Sequence, residues 1–326
     1  MTLQPALINQ DVLRRFVQLV GRDRLAHAYL FVGPQCSGKT QTALGVAKLL
    51  NCDQPPREGD ADFCGVCPSC RKIDSGNHPD VTLIQTENSR VISIDQIRGV
   101  ITRCQLRPFE GRKKVYIIKE AERLSLEGSN AVLKTLEEPV KDSVFILTTA
   151  VPERVLSTIK SRCHSVHFFP LGQDILLREL KECVRGDEES AHFYAFYSEG
   201  CAGKARSLHE AGFLIHKNQV IDHVVFQRDA EPYLKTLLAD QEKTQEALNI
   251  LLSWFRDVVL MKQGVGAQRV AHRDRLEDLA RAKQQYTTGQ LFAIIDEIVQ
   301  TKRMLQENLN VKIAFYILRD KIWIRS

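Results

Sequence analysis

A chain of 326 residues is about twice the length of a common domain, so two or three domains are expected. Apolar residues make up 44% and charged residues 26%, enough to build real cores and too ordinary for a disordered chain. The 45 Lys and Arg against 40 Asp and Glu leave +5, a basic excess too mild to define a nucleic-acid module by itself. No stretch reaches the ~18–20 apolar residues of a bilayer span, and the opening Met1-Thr-Leu-Gln-Pro5 lacks the regions of a signal peptide, so a cytoplasmic protein is expected.

The first half alternates short apolar runs with helical patterns, the signature of a parallel sheet with crossover helices. Strands are expected at Ala28–Val32, Val81–Gln85, Lys114–Ile118, Val144–Thr148 and Val166–Phe169. Helices are expected over Gly38–Asn51, over Ile94–Cys104 with Ser93 as N-cap, and over Ser125–Glu137, which Pro139 ends. After Pro170 the strand signals stop. Apolar residues then recur at helical spacing, as in Ile175-Leu176-Leu177-Leu180 and Leu248-Leu251-Leu252-Phe255-Val258-Val259. Gly200-Cys-Ala-Gly203 reads as a turn between short helices, and Lys262–Arg275 as a loop carrying Gly264 and Gly266. Phe292, Ile294, Ile295 and Ile298, then Leu305, Leu309, Ile313 and Ile317, fit either a core or an interface. Phe315, Tyr316 and Trp323 read as packing residues, since no aromatic and basic alternation accompanies them.

Gly33-Pro-Gln-Cys-Ser-Gly38-Lys39-Thr40 fits G-x-x-x-x-G-K-[ST] and stands between an expected strand and an expected helix. Loop N–H groups there wrap a phosphate chain, Lys39 reaches its outer phosphates, and the Thr40 hydroxyl ligates Mg²⁺. The acid that would complete a Mg²⁺ site belongs at the end of another strand. The matching run, Val115-Tyr-Ile-Ile-Lys119-Glu120-Ala-Glu122, has the cation Lys119 in its place. Glu120 remains able to polarise a water, and Glu122 reads as a solvated carboxylate at a helix start.

Cys52, Cys64, Cys67 and Cys70 offer four thiolates, the donor set of a closed structural zinc site, with Pro55, Pro56 and Gly59 in the intervening loop. The single cysteines Cys36, Cys104, Cys163, Cys183 and Cys201 read as small buried apolar residues. His78, before Pro79, reads as a turn residue rather than a ligand. Ser161-Arg162-Cys163 precedes the last strand. Arg162 is either a solvated rim charge or a cation offered to another subunit's nucleotide.

Taken with His27-Ala-Tyr-Leu-Phe, Asn77-His-Pro-Asp80 and Asn130-Ala-Val-Leu-Lys-Thr-Leu-Glu-Glu-Pro139, these motifs resemble the bacterial clamp-loader subunits of the AAA+ class across residues 25 to 170. The resemblance implies an α/β AAA+ P-loop domain with a parallel sheet over residues 1–169, carrying a zinc module at 52–70. A small helical lid over 170–216 and a helical collar over 217–326 would follow. It further implies a stator of the DNA polymerase III clamp loader, in a hetero-pentameric ring with delta and tau/gamma subunits that loads the sliding clamp onto primed DNA. Arg162 would then act in trans on a neighbouring motor's ATP, and the chain would be neither a polymerase nor an efficient ATPase. The alternative within this family is an active ATPase motor using Gly33, Gly38, Lys39 and Thr40. Against it stand Lys119 and Gly203, the latter where the motor's lid has an arginine. The family's polar sensor falls at Thr149 or Ala150.

Overall fold

A computed structural model describes residues 9–54, 63–87, 90–183, 187–307 and 311–323; Pro55, Pro56, Gly59 and Leu309, singled out above, and the side chain of Cys183 lie outside what it describes. The chain divides into two compact units, Met1–Leu171 with Cys201–Gly203, and Gly172–Gly200 with Lys204–Ser326.

The first unit is built on β1 (Ala28–Val32), β2 (Val81–Ile84), β3 (Lys114–Ile118), β4 (Ser143–Thr149) and β5 (His164–His167). All pairings are parallel, in the order β2-β3-β4-β1-β5. Its helices are α1 (Gln10–Gly21), α2 (Lys39–Asn51), α3 (Pro68–Asp74), α4 (Ile94–Cys104), α5 (Leu126–Glu137) and α6 (Ser157–Lys160). Side chains alternate across β1. Tyr29 and Phe31 join Leu13, Phe16, Val46 and Leu49 beneath α1 and α2, while Ala28 and Leu30 join Ile97, Val100, Val132 and Leu136 beneath α4 and α5. Ser93 caps α4 through a capping box with Gln96, and Ser125 caps α5, as their sequences require.

The last strand differs from expectation. It pairs with β1 from Tyr29↔His164 to Val32↔His167, two residues earlier than the apolar run Val166–Phe169 suggests. Phe168 instead leaves the sheet to enter the core beside Phe31, and Phe169 is exposed.

The second unit is helical: α7 (Gln173–Cys183), α8 (Glu188–Tyr197), α9 (Ala202–Glu210), α10 (Phe213–Val220), α11 (Ala230–Leu237), α12 (Gln241–Lys262), α13 (Leu276–Gln285), α14 (Thr288–Gln306) and α15 (Val311–Trp323). Helix α9 begins at Ala202, so Ala202 and Gly203 are its first residues rather than the end of a turn. Helix α12 carries Leu251, Trp254, Phe255 and Val258 into the core. The spacing from Leu305 to Ile317 does not lie on one helix, because α14 ends at Gln306 and α15 starts at Val311. Leu305 is buried, whereas Ile313 and Ile317 face outward, as does Phe292 on α14. Phe315 is buried, the Trp323 indole donates to the Val224 carbonyl at 2.8 Å, and Arg319 stacks on Tyr316 and Trp323, so these aromatics are structural. Among the described residues, no helix is long and apolar enough to cross a membrane.

Candidate functional site

The glycine-rich loop fills the turn from β1 to α2. Gly33 leaves β1 against Phe168, where a Cβ would stand 2.4 Å from the Phe168 carbonyl oxygen, so a side chain has no room. Cys36 and Gly38 take positive φ, 58° and 82°, and curl the loop so that α2 opens at Lys39. The Lys39 ammonium is buried and donates to the Gly33 carbonyl at 2.7 Å and the Pro34 carbonyl at 2.6 Å. Burial lowers its pKa, opposed first by the charge of Glu122. Thr40 lies half-buried in the first turn of α2.

Lys119 stands directly after β3, its backbone N–H donating to the Ile84 carbonyl at 2.8 Å. Glu120 has φ 57° and its carboxylate pairs with Arg123 at 2.6 Å. Glu122 is not the solvated carboxylate its position suggests. It is half-buried, its Oε1 accepts the Ala150 N–H at 3.2 Å, and its Oε2 is buried with no hydrogen-bond partner among the described residues. The charge of Glu122 acts on Lys39 more than that of Glu120 does. At the end of β4, the Thr149 carbonyl accepts the Gly33 N–H at 3.2 Å, which sets Thr149 beside the loop. Gly203 packs on the same loop; a Cβ there would lie 3.1 Å from the Cys36 carbonyl oxygen.

The sulfurs of Cys52, Cys64, Cys67 and Cys70 lie within 4.8 Å of one another. Tetrahedral zinc with Zn–S bonds of about 2.3 Å separates its sulfurs by about 3.8 Å. The Cys52–Cys64 and Cys52–Cys67 separations are 3.6 and 3.9 Å, so the donor set fits the ion. Backbone N–H groups of Cys64, Cys67 and Cys70 point at the preceding sulfurs, at 3.5, 3.3 and 3.4 Å, as in a site built for thiolates. The Val66 N–H leads in drawing the Cys64 thiol down to about 7, while burial pushes Cys52 and Cys70 up, so a cation is what would let those buried thiols ionise beside it. The set joins the end of α2 to the start of α3, where Cys67 is the N-cap.

His78 sits apart from that set as a turn residue. Its Nε2 lies 3.2 Å from the Ser69 hydroxyl, and its Nδ1 accepts the Asp80 N–H at 3.1 Å. The Asp80 carboxylate accepts the N–H groups of Phe109, Glu110 and Gly111 at 2.8–3.0 Å. Of the single cysteines, Cys104 and Cys201 are buried and Cys163 is half-buried, but Cys36 is exposed, because it belongs to the curled loop.

Arg162 follows α6, its side chain 35% exposed. Its Nη2 meets the Glu137 carboxylate at 2.7 Å, and its Nη1 donates to the Thr158 carbonyl at 3.1 Å and the Ser161 hydroxyl at 3.2 Å.

A family model described as DNA polymerase III, delta subunit, matches residues 8–172, and one described as DNA polymerase III, delta subunit, C terminal, matches residues 212–318. The DNA polymerase III subunit delta' of Bacillus subtilis (strain 168) is 31% identical to this chain over 315 residues, covering 92% of each. That of Pseudomonas aeruginosa is 32% identical over 249 residues, 74% of this chain and 73% of its own. The DNA polymerase III subunit tau of B. subtilis is 26% identical, covering 95% of this chain and 61% of tau.

Proposed function

Because the chain belongs to the DNA polymerase III delta' subunit family, we propose that it serves in the clamp loader as a stator rather than a motor. In this reading it joins delta and tau/gamma subunits in a hetero-pentameric ring that loads the sliding clamp onto primed DNA. Its own contribution to ATP turnover is made in trans. The guanidinium of Arg162 reaches the ATP of a neighbouring tau/gamma subunit, where a planar, permanent cation stabilises charge on the transferring phosphoryl group.

The observation that carries this reading is Lys119 at the end of β3, a cation where a Mg²⁺-holding acid belongs. Glu120, the acid at the next position, is engaged by Arg123 at 2.6 Å, which leaves it a poorer group for polarising a water. Gly33, Gly38, Lys39 and Thr40 retain a phosphate cradle, so ATP and Mg²⁺ binding is part of the proposal and hydrolysis is not. Cys52, Cys64, Cys67 and Cys70 hold a structural zinc, which has no open position for chemistry. Residues 1–169 form the AAA+ domain, 170–216 the lid and 217–326 the collar through which the ring assembles.

A motor reading draws support from one feature, the half-buried Glu122 carboxylate whose charge acts on Lys39. Turnover by the purified chain separates the two. The stator reading predicts negligible ATP hydrolysis, unaltered by Lys39→Ala; turnover that Lys39→Ala abolishes would establish the motor.

A further inference from the structure

We propose that Glu137 is the positioning residue for Arg162, holding its guanidinium in the attitude in which it meets a neighbouring subunit's phosphates. Glu137 is the last residue of α5, where the helix end already carries partial negative charge from unsatisfied carbonyls. A carboxylate there is electrostatically misplaced unless a cation answers it. Arg162 does so at 2.7 Å, and the same guanidinium satisfies the Thr158 carbonyl near the end of α6. One planar cation thus bridges the C-terminal ends of two helices. Contacts at both terminal nitrogens favour one plane and one location for the guanidinium over its other rotamers.

The pair does little for the stability of the chain. Arg162 is half-buried at 35% exposure and Glu137 is exposed at 50%, and such pairs contribute weakly in water. What it does supply is orientation, and orientation is what a group reaching across a subunit boundary to a transition state needs. A free arginine on this edge would spread over many rotamers, and binding would have to order it first.

This inference rests on Arg162 acting in trans, so its test includes Arg162 itself. Loaders reconstituted with delta and tau/gamma would carry wild-type chain, Glu137→Gln, Arg162→Ala, or both substitutions, with Glu138→Gln as a control at the neighbouring exposed acid. Clamp- and DNA-stimulated ATPase would be measured as kcat and KM. Expected is a fall in kcat of about three- to fivefold for Glu137→Gln at unchanged KM and unchanged assembly, the scale of one exposed ion pair. Arg162→Ala falls further, the double variant no further than Arg162→Ala alone, and Glu138→Gln is silent. If Arg162→Ala lowers kcat and Glu137→Gln does not, the positioning role is wrong while the trans reading stands. If Arg162→Ala has no effect, the trans reading itself fails. A rise in kcat with Glu137→Gln would mean that the carboxylate restrains the arginine, which also overturns the proposal.

Discussion

Asp80 shows how a single carboxylate can organise a segment far from it in sequence. It is 3% exposed and gathers three backbone N–H groups from 109–111. Burial alone would raise its pKa, but the bonds from Gly111, Phe109 and Glu110 outweigh burial and hold it below the usual value of 3.8. A carboxyl whose pKa is lower folded than unfolded lends stability that is full above its unfolded pKa and is lost as pH falls through the lower, folded one. Thermal denaturation should therefore show a stability contribution that disappears below about pH 4 in the wild type and is missing from Asp80→Asn at every pH, at a cost near neutrality of about 2–3 kcal/mol. An Asp80→Asn variant with the wild-type acid dependence would refute this role. The sequence marks Asn77-His-Pro-Asp80 as distinctive, but nothing in it says that the partner is 109–111, because the contact spans 29 to 31 residues. Glu122 is hidden for the same reason: the N–H that its carboxylate accepts belongs to Ala150, 28 residues on.

At the scale of elements, legibility followed locality. The phosphate loop could be read because strand, turn and helix are contiguous, and α4 and α5 because their caps lie within the segments they cap. Helices α1 and α3 went unread, and β5 shifted, since an edge strand's register is set by its neighbour β1 and not by its own apolar residues. The four-cysteine set was legible from spacing, whereas its architectural consequence is visible only in the fold. It ties the end of α2 to the start of α3, where Ile73 also packs in the core cluster of α2 and Lys48 pairs with Asp74 at 2.6 Å. Zinc analysis of the purified protein should give one ion per chain. Cys67→Ser should lose the ion and with it several degrees of thermal stability, because metal binding there is folding free energy. Full zinc occupancy in Cys67→Ser, or its loss without any effect on melting, would contradict a structural role.

For the whole molecule, the central claim is a division of labour: a phosphate loop in a chain that does not turn over, and an arginine that works on a neighbour. Both halves of the proposal rest on charge: Lys119 stands where a motor would need an acid, and Arg162 pairs with Glu137 at 2.7 Å with its side chain 35% exposed. Turnover by the purified chain judges the first half, but the second needs the assembled loader, because the arginine is proposed to act on another subunit's ATP. The measurement that bears most directly on the claim is the clamp- and primed-DNA-stimulated ATPase of the reconstituted loader, with Arg162→Ala and Lys39→Ala compared in the same assay. The account predicts intact assembly in both, a loss of stimulated kcat of tenfold or more on the ~10³ scale that such arginines reach for Arg162→Ala, and a rate near wild type for Lys39→Ala. A silent Arg162→Ala beside a damaging Lys39→Ala would show that the chain uses its own nucleotide site, and the stator account would be wrong.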